Sequence, residues 1–337
     1  MRDYIVKIQQ GLPLTHDEIT IVMELIMSGH ATVDEIKDFL LALNAKGPTV
    51  EEITASVFIM RKFVLPVKTK HQVVLDTCGT GGDHRNTFNI STVSAIVAAS
   101  CGVVVAKHGN RSVSSKCGSA DVLEELGVDL SMEESHLNQC LDEVGLAFLY
   151  AQRLHPAMKN VAPARKELGV KTIFNILGPL TNPARATHQI MGVYSRDLVE
   201  PMARVLQNLG LHRALVVHGE DGLDEITTTG KTFVAEYNGH EIITYDIDPT
   251  ELGFPQVTLE DLAGDDVKTN AAILLNILEG DKGAHRDIVV LNAAYALYVA
   301  QVVSNLQLGI NMTQHAIDSG RAMQKFDQFR NFTNSVR

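Results

Sequence analysis

The sequence is short of cysteine, of positive charge and of long apolar runs, and each shortage removes a class of function. The four cysteines, Cys78, Cys101, Cys117 and Cys140, form no CxxC pair and have no histidine at zinc-ligand spacing. Free thiols in a reducing compartment are the plain reading. Lys and Arg number 29 against 40 Asp and Glu, a formal net charge of −11. Nucleic acid is therefore not an expected partner, because phosphate contacts need a basic surface. A small anion held in a local basic pocket remains compatible with that charge. The most apolar stretch, 93–106, is broken by Gly102 and falls short of the ~20 residues of a membrane span. No apolar run follows a basic start near Met1, so neither a leader nor membrane binding is expected, and the protein reads as cytoplasmic.

What is present organises into two parts, and 337 residues are enough for a large domain and a smaller one. Residues 1–70 read as a helical module. Three capping boxes occur in series: Thr15 with Glu18, Thr32 with Glu35, and Thr49 with Glu52. Behind them, apolar residues such as Ile19, Val22, Met23 and Ile26, or Ile36, Phe39, Leu40 and Leu43, share one helical face. Such short helices need a partner surface, either the rest of the chain or a second subunit. From His71 the pattern alternates: strands at 73–75, 103–106, 146–150, 190–194 and 214–217, helices at 91–100, about 121–127, 132–144 and 197–209. This predicts an α/β fold, a small helical N-terminal domain plus a large α/β domain over 71–337. Stretch 160–185 is expected to return to the helical domain or to form the hinge, with 178–183 as a hinge-side turn.

Four loops carry the chemistry. Stretch 76–83, DTCGTGGD, follows a strand, and Gly79, Gly81 and Gly82 let backbone N–H groups approach an anion closely. It is not a Walker loop, since no Lys-Ser/Thr follows, and the glycines alone also fit a tight turn. Stretch 89–92, NIST, opens the next helix, where free N–H groups and hydroxyls bind phosphate; a simple N-cap would look the same. Stretch 107–115, KHGNRSVSS, gathers two cations with three serines, a set that suits an anion. Asp224 and Glu225 end the loop GEDGLDE; adjacent carboxylates suit Mg²⁺ beside substrate phosphates, or are plain solvated charge.

Taken together, GTGGD at 79–83, NIST at 89–92, KHGNRSVSSKCGSAD at 107–121 and DGLDE at 221–225 resemble the anthranilate phosphoribosyltransferase family. HPAMK at 155–159, TIFNILGPLTNP at 172–183 and RDIVVLNAA at 286–294 strengthen the likeness. The resemblance implies a nucleoside phosphorylase-like phosphoribosyltransferase fold with a central, mostly parallel sheet. It also implies a homodimer through the helical domain, two Mg²⁺ ions, and anthranilate and phosphoribosyl pyrophosphate as substrates. By position, the phosphoribosyl pyrophosphate site would comprise Gly79, Gly82, Asp83, Thr87, Asn89, Ile90, Ser91, Thr92, Lys107, His108, Gly109, Asn110, Arg111, Ser112, Val113, Ser114, Ser115 and Ser119. Ser91, Asp224 and Glu225 would ligate metal, and Gly79, Asn110 and Arg165 would meet anthranilate. No acid or base is implied, and His108 and His155 are candidates for shaping an aromatic pocket or for a structural role.

Three rival readings stand beside this one. A pyrimidine nucleoside phosphorylase of the same fold would not need Asp224 and Glu225. The stretch 224–230, DEITTTG, imitates the motif of the commoner phosphoribosyltransferase fold, but residues 218–223 separate it from its strand. A non-catalytic relative that binds nucleic acid conflicts with the net charge.

Overall fold

A computed structural model of the chain describes residues 1–111 and 117–335. Four helices come first: α1 (Arg2–Gln9), α2 (His16–Met27), α3 (Val33–Lys46) and α4 (Val50–Met60). All three capping boxes are formed, with Thr15, Thr32 and Thr49 accepting from the N–H three residues on while the Glu side chain returns to the cap. Each such cap contributes about 1 kcal/mol. Glu52 does more, since it is fully buried, ion-paired to Lys46 at 2.7 Å and accepting from Leu14 N at 2.9 Å, which ties the start of α2 to α4.

The remainder alternates strand and helix: β1 (Leu75–Asp76), α5 (Ile90–Ser100), β2 (Val105–Gly109), α6 (Ser119–Glu125), α7 (Glu134–Glu143), β3 (Leu146–Tyr150), α8 (Ala151–Leu154), α9 (Ala162–Leu168) and α10 (Phe174–Leu180). Then follow β4 (His188–Gly192), α11 (Val199–Asn208), β5 (Arg213–Gly219), β6 (Thr232–Tyr237), β7 (Ile242–Ile247), α12 (Val267–Glu279), α13 (Ala284–Val299), α14 (Leu306–Asp318) and α15 (Arg321–Ser335). The seven strands lie in the order β3-β2-β1-β4-β5-β6-β7; β1 to β5 run parallel, and β6 and β7 add an antiparallel edge.

Alternate residues of the sheet divide its two faces between two cores. Met191, Val193, Ala214, Val216 and Ala235 pack with α1 to α4 and α9 to α11. Ile190, Leu215, Val217 and Val234 pack with α5 and the C-terminal helices, where Phe326 and Phe329 of α15 are buried. The chain thus folds in three layers, with helices covering both faces of a mostly parallel sheet, as such sheets require.

Several boundaries differ from the sequence reading, and each difference has a cause. Strand β2 extends to Gly109 because Lys107 and His108 are buried within it, at 4% and 3% exposure, so apolar patterning stops short. Strand β4 starts two residues early, at His188 and Gln189, polar residues buried with partners: Thr187 Oγ1 for His188 Nδ1, and Pro179 O for the Gln189 amide. The expected turn at 178–183 is in part helix, since α10 continues through Gly178 and Pro179 to Leu180. It survives because side chains take its late carbonyls: Arg61 donates twice to Leu180 O, and Thr181 Oγ1 to Gly178 O. The β6–β7 pair was not foreseen.

Candidate active site

In the strand order, β1 has β2 on one side and β4 on the other, so the chain after β1 and after β4 departs in opposite directions. That is the switch point where parallel sheets bind ligands, beyond the strands' carboxyl ends. All four loops singled out in the sequence follow strands here or open the next helix: 77–83 after β1, 89–92 at the start of α5, 110 onward after β2, and 220–225 after β5.

Asp76 closes β1 and is fully buried. Its oxygens accept from His108 N at 3.0 Å and from Asn182 Nδ2 at 2.7 Å, and Asn182 also donates to Ala106 O. Burial pushes the Asp76 carboxyl up to about 6, against the pull of Asn182 and Lys107. Asn182, which composition alone did not single out, therefore pins the ends of β1 and β2 together.

Lys107 stands at the centre. Its Nζ donates to Thr77 O at 3.3 Å, Thr77 Oγ1 at 3.4 Å and Ser91 Oγ at 3.2 Å, all neutral oxygens. Close by stand Asp224 and Glu225. Burial, with the charge of Asp83, raises Asp224 to about 7; burial and then Asp224 raise Glu225 to about 8, opposed by Lys107 and the Ser91 hydroxyl. Three carboxylates thus crowd one ammonium, and burial with mutual repulsion favours the protonated forms of Asp224 and Glu225. Asp224 Oδ2 also accepts from Gly81 N at 2.7 Å. Loop 79–83 crosses β4 tightly, with Thr80 N on Gly192 O and Tyr194 N on Thr80 Oγ1. A Cβ on Gly79 would stand 2.8 Å from Asp224 Oδ2, and Gly81 and Gly82 have φ of +62° and +74°.

The start of α5 carries no side-chain cap. Asn89 occupies the cap position of α5 but makes no such bond, and Thr92 Oγ1 is buried without a partner among the described residues. Ile90 is buried in the core, which leaves only its backbone for a ligand. Thr87 forms a bridge to Ala263 at the edge of this loop.

Other expected members lie apart. His108 follows Lys107 in β2 and so faces the opposite side; its Nε2 lies 3.0 Å from Nε2 of His155, with the rings stacked. Burial holds His108 well below the usual imidazole range and His155 down to about 4, so both are neutral. Arg111 is not among the oxygens around Lys107: its guanidinium binds Tyr150 Oη, Asp121 and Glu124. Asn110 O accepts from Ser119 Oγ, and Gly109 is needed because a Cβ would stand 2.5 Å from the Phe148 ring. Ser112, Val113, Ser114 and Ser115 lie outside the described residues. Arg165, half-buried on α9, has its guanidinium 6.0 Å from the Phe174 ring centre and, among the described residues, no hydrogen-bond or ion-pair partner.

Lys171 was missed by the sequence reading. It donates to Gly82 O at 2.9 Å and sits 3.6 Å above the Tyr194 ring, while its own carbonyl accepts from Asn44 Nδ2 of α3. It joins the helical part to the glycine loop.

Two sets of donors come into question for a metal. Among the described residues, Asp76, Cys78 and His108 bring ligand atoms within 4.8 Å of one another. Asp76 is already occupied by Asn182 and the His108 N–H, and burial drives the Cys78 thiol far up, so that set offers a thiol where a metal needs a thiolate. Asp224, Glu225, Asp83 and the Ser91 hydroxyl are hard oxygen donors short of positive charge, and these fit Mg²⁺.

Comparison with known proteins gives a consistent result. Residues 71–323 match the family model described as a glycosyl transferase family a/b domain, and residues 2–64 match the helical bundle domain of the same family. The chain is 51% identical to the anthranilate phosphoribosyltransferase of Acetivibrio thermocellus, covering 99% of this chain and 97% of the relative. Its structure is similar to that of the anthranilate phosphoribosyltransferase of Thermus thermophilus, with a TM-score of 0.93 at 40% identity over 98% of this chain and 99% of that one. It is also similar to the Saccharomyces cerevisiae enzyme in complex with PRPP and Mg, with a TM-score of 0.87 at 29% identity over 95% and 93%. No helix among the described residues is long and apolar enough to cross a membrane.

Proposed function

This chain belongs to the anthranilate phosphoribosyltransferase family, and we propose that the cluster around Lys107 is where it moves the phosphoribosyl group of 5-phosphoribosyl 1-pyrophosphate onto the amine of anthranilate. The observation that carries this placement is the buried Lys107 ammonium, bonded among the described residues to neutral oxygens, within reach of the Ser91 hydroxyl and the raised Asp224–Glu225 pair.

The chemistry suits these groups. The bond from the anomeric carbon to the diphosphate oxygen breaks as the anthranilate nitrogen bonds to that carbon and loses a proton. Positive charge grows on the ribose and negative charge on the departing diphosphate. Lys107 and the uncapped start of α5 would face that negative charge. Asp224, Glu225 and Ser91 would hold Mg²⁺, two ions in our reading, which supplies Lewis-acid charge to the leaving diphosphate. The amine is a neutral nucleophile, so no strong base is required, and the neutral His108–His155 pair is consistent with an apolar aromatic pocket rather than proton transfer. Arg165, half-buried without an acidic partner, would take the anthranilate carboxylate.

The helical part, with 160–185 attached to it or acting as hinge, would close on the α/β part over 71–337. It would also pair with a second copy. Supporting this, Val6, Ile21, Leu41 and Phe58 on α1 to α4 are each more than 40% exposed.

Asp224→Asn with Glu225→Gln tests the assignment: turnover should fall and the Mg²⁺ requirement rise, with folding retained. Wild-type turnover at low Mg²⁺ would remove the pair from the site.

A further inference from the structure

Asparagine is among the strongest helix N-caps, so an asparagine at a cap position that leaves the helix uncapped needs a competing partner. Asn89 is such a residue. Its side chain makes no bond to α5; instead Oδ1 accepts from Asn270 Nδ2 at 3.3 Å and, weakly, from the Cys117 thiol at 3.8 Å, and Nδ2 donates to Cys117 O at 3.4 Å. Asn270 lies in the first turn of α12, only 3% exposed, and its own Oδ1 accepts from Asp265 N at 2.9 Å. The approach is close. A Cβ on Gly264 would stand 2.5 Å from Asn270 Oδ1 and 2.7 Å from Phe88 N, so only glycine lets α12 come this near. Two backbone contacts hold the same seam: Gly264 N donates to Asn86 O at 2.9 Å, and Thr87 bridges Ala263.

From this geometry we infer that Asn270 is a positioning residue for the transfer reaction. It draws the Asn89 carboxamide away from the α5 N-terminus and so keeps that terminus open for the phosphates of phosphoribosyl pyrophosphate. The inference rests on the placement of the diphosphate against α5 proposed above. Thr92 Oγ1, buried in the same first turn and without a partner among the described residues, is a polar atom that a phosphate at α5 would satisfy. With the Asn270 bond gone, the Asn89 side chain swings back to cap α5, and the seat is filled by the protein itself.

The test uses three variants of the full-length chain: Asn270→Asp, Asn89→Ala, and both together. Aspartate keeps the acceptor for Asp265 N and loses the donor to Asn89. Phosphoribosyl pyrophosphate KM and kcat are measured by loss of anthranilate fluorescence, its affinity by calorimetry, and folding by thermal midpoint. Asn270→Asp should raise the phosphoribosyl pyrophosphate KM by about fivefold, the effect of one hydrogen bond, with kcat and anthranilate KM near wild type. On the Asn89→Ala background the same change should add nothing, because no carboxamide remains to swing. Equal increases on both backgrounds, or no increase on either, would overturn the role of Asn270 while leaving the site intact. A wild-type phosphoribosyl pyrophosphate KM for a further variant, Thr92→Val, would instead overturn the placement of the diphosphate at α5, and this inference with it. Should the aspartate lower the thermal midpoint substantially, Asn270→Ser on the same two backgrounds decides by the same comparison.

Discussion

Gly192 faces Asp224 so closely that a Cβ at position 192 would stand 1.5 Å from the Asp224 carbonyl oxygen. The end of β4 thus sets where the acidic loop after β5 lies, and through Gly192 O it also receives the N–H of Thr80 from the glycine loop. Gly192→Ala should therefore shift Asp224 and Glu225, abolish most activity and lower stability by about 3 kcal/mol or more, since backbone has to move. Gly79→Ala meets the Asp224 side chain at 2.8 Å and the Gly192 carbonyl oxygen only at 3.3 Å, and should be milder. Thermal unfolding of the two variants checks the order.

The raised carboxyls make apo-protein stability depend on pH. Asp76, Asp224 and Glu225 rise to about 6, 7 and 8 in the folded chain, above their unfolded values, so the folded state favours their protonated forms. That stability is present at low pH and is lost as pH rises through these values. Their contribution should therefore fall between about pH 4 and 8. Bound Mg²⁺ needs the ionised forms and should reduce the loss. Comparing thermal midpoints across this range for wild type and for Asp224→Asn with Glu225→Gln, in chelator and in excess Mg²⁺, isolates the effect; equal pH slopes in all four series would contradict it.

Arg165 is the residue by which the site would distinguish anthranilate from a nucleoside. Arg165→Ala should weaken anthranilate roughly ten- to a hundredfold, the loss of a charged hydrogen bond of about 1.5–3 kcal/mol. Phosphoribosyl pyrophosphate affinity should stay nearly unchanged. Equal weakening of both, read by kinetics for one and calorimetry for the other, would indicate a folding defect.

Lys171 gives closure a handle. It holds Gly82 O and the Tyr194 ring from the side of α3, so phosphoribosyl pyrophosphate with Mg²⁺ should compact the protein in small-angle scattering. Lys171→Ala should raise amide exchange across 79–87 without changing the global midpoint. Identical scattering curves with and without ligands would count against closure.

Much of this was legible before the structure, and the part that was not shares one cause. The capping boxes read directly because their determinants are three residues apart. The glycine loop, the start of α5 and the acidic pair read because strand ends and loop chemistry are local. Buried polar residues misled the patterning: Lys107 and His108 hid the end of β2, His188 and Gln189 hid the start of β4. The partners that tie Asn182, Lys171 and Asn270 into the site lie 76 to 181 residues away, where no local pattern reports them. Arg111 shows the converse, since a cation in an anion-like loop is engaged by Asp121 and Glu124.

One assay bears on the whole reading. The protein is mixed with anthranilate, phosphoribosyl pyrophosphate and Mg²⁺, and anthranilate fluorescence is followed while pyrophosphate is measured. Fluorescence should fall only when all three are present, with one pyrophosphate released per anthranilate consumed. Unchanged fluorescence, together with phosphate-dependent cleavage of thymidine or uridine, would contradict it and point to a nucleoside phosphorylase instead.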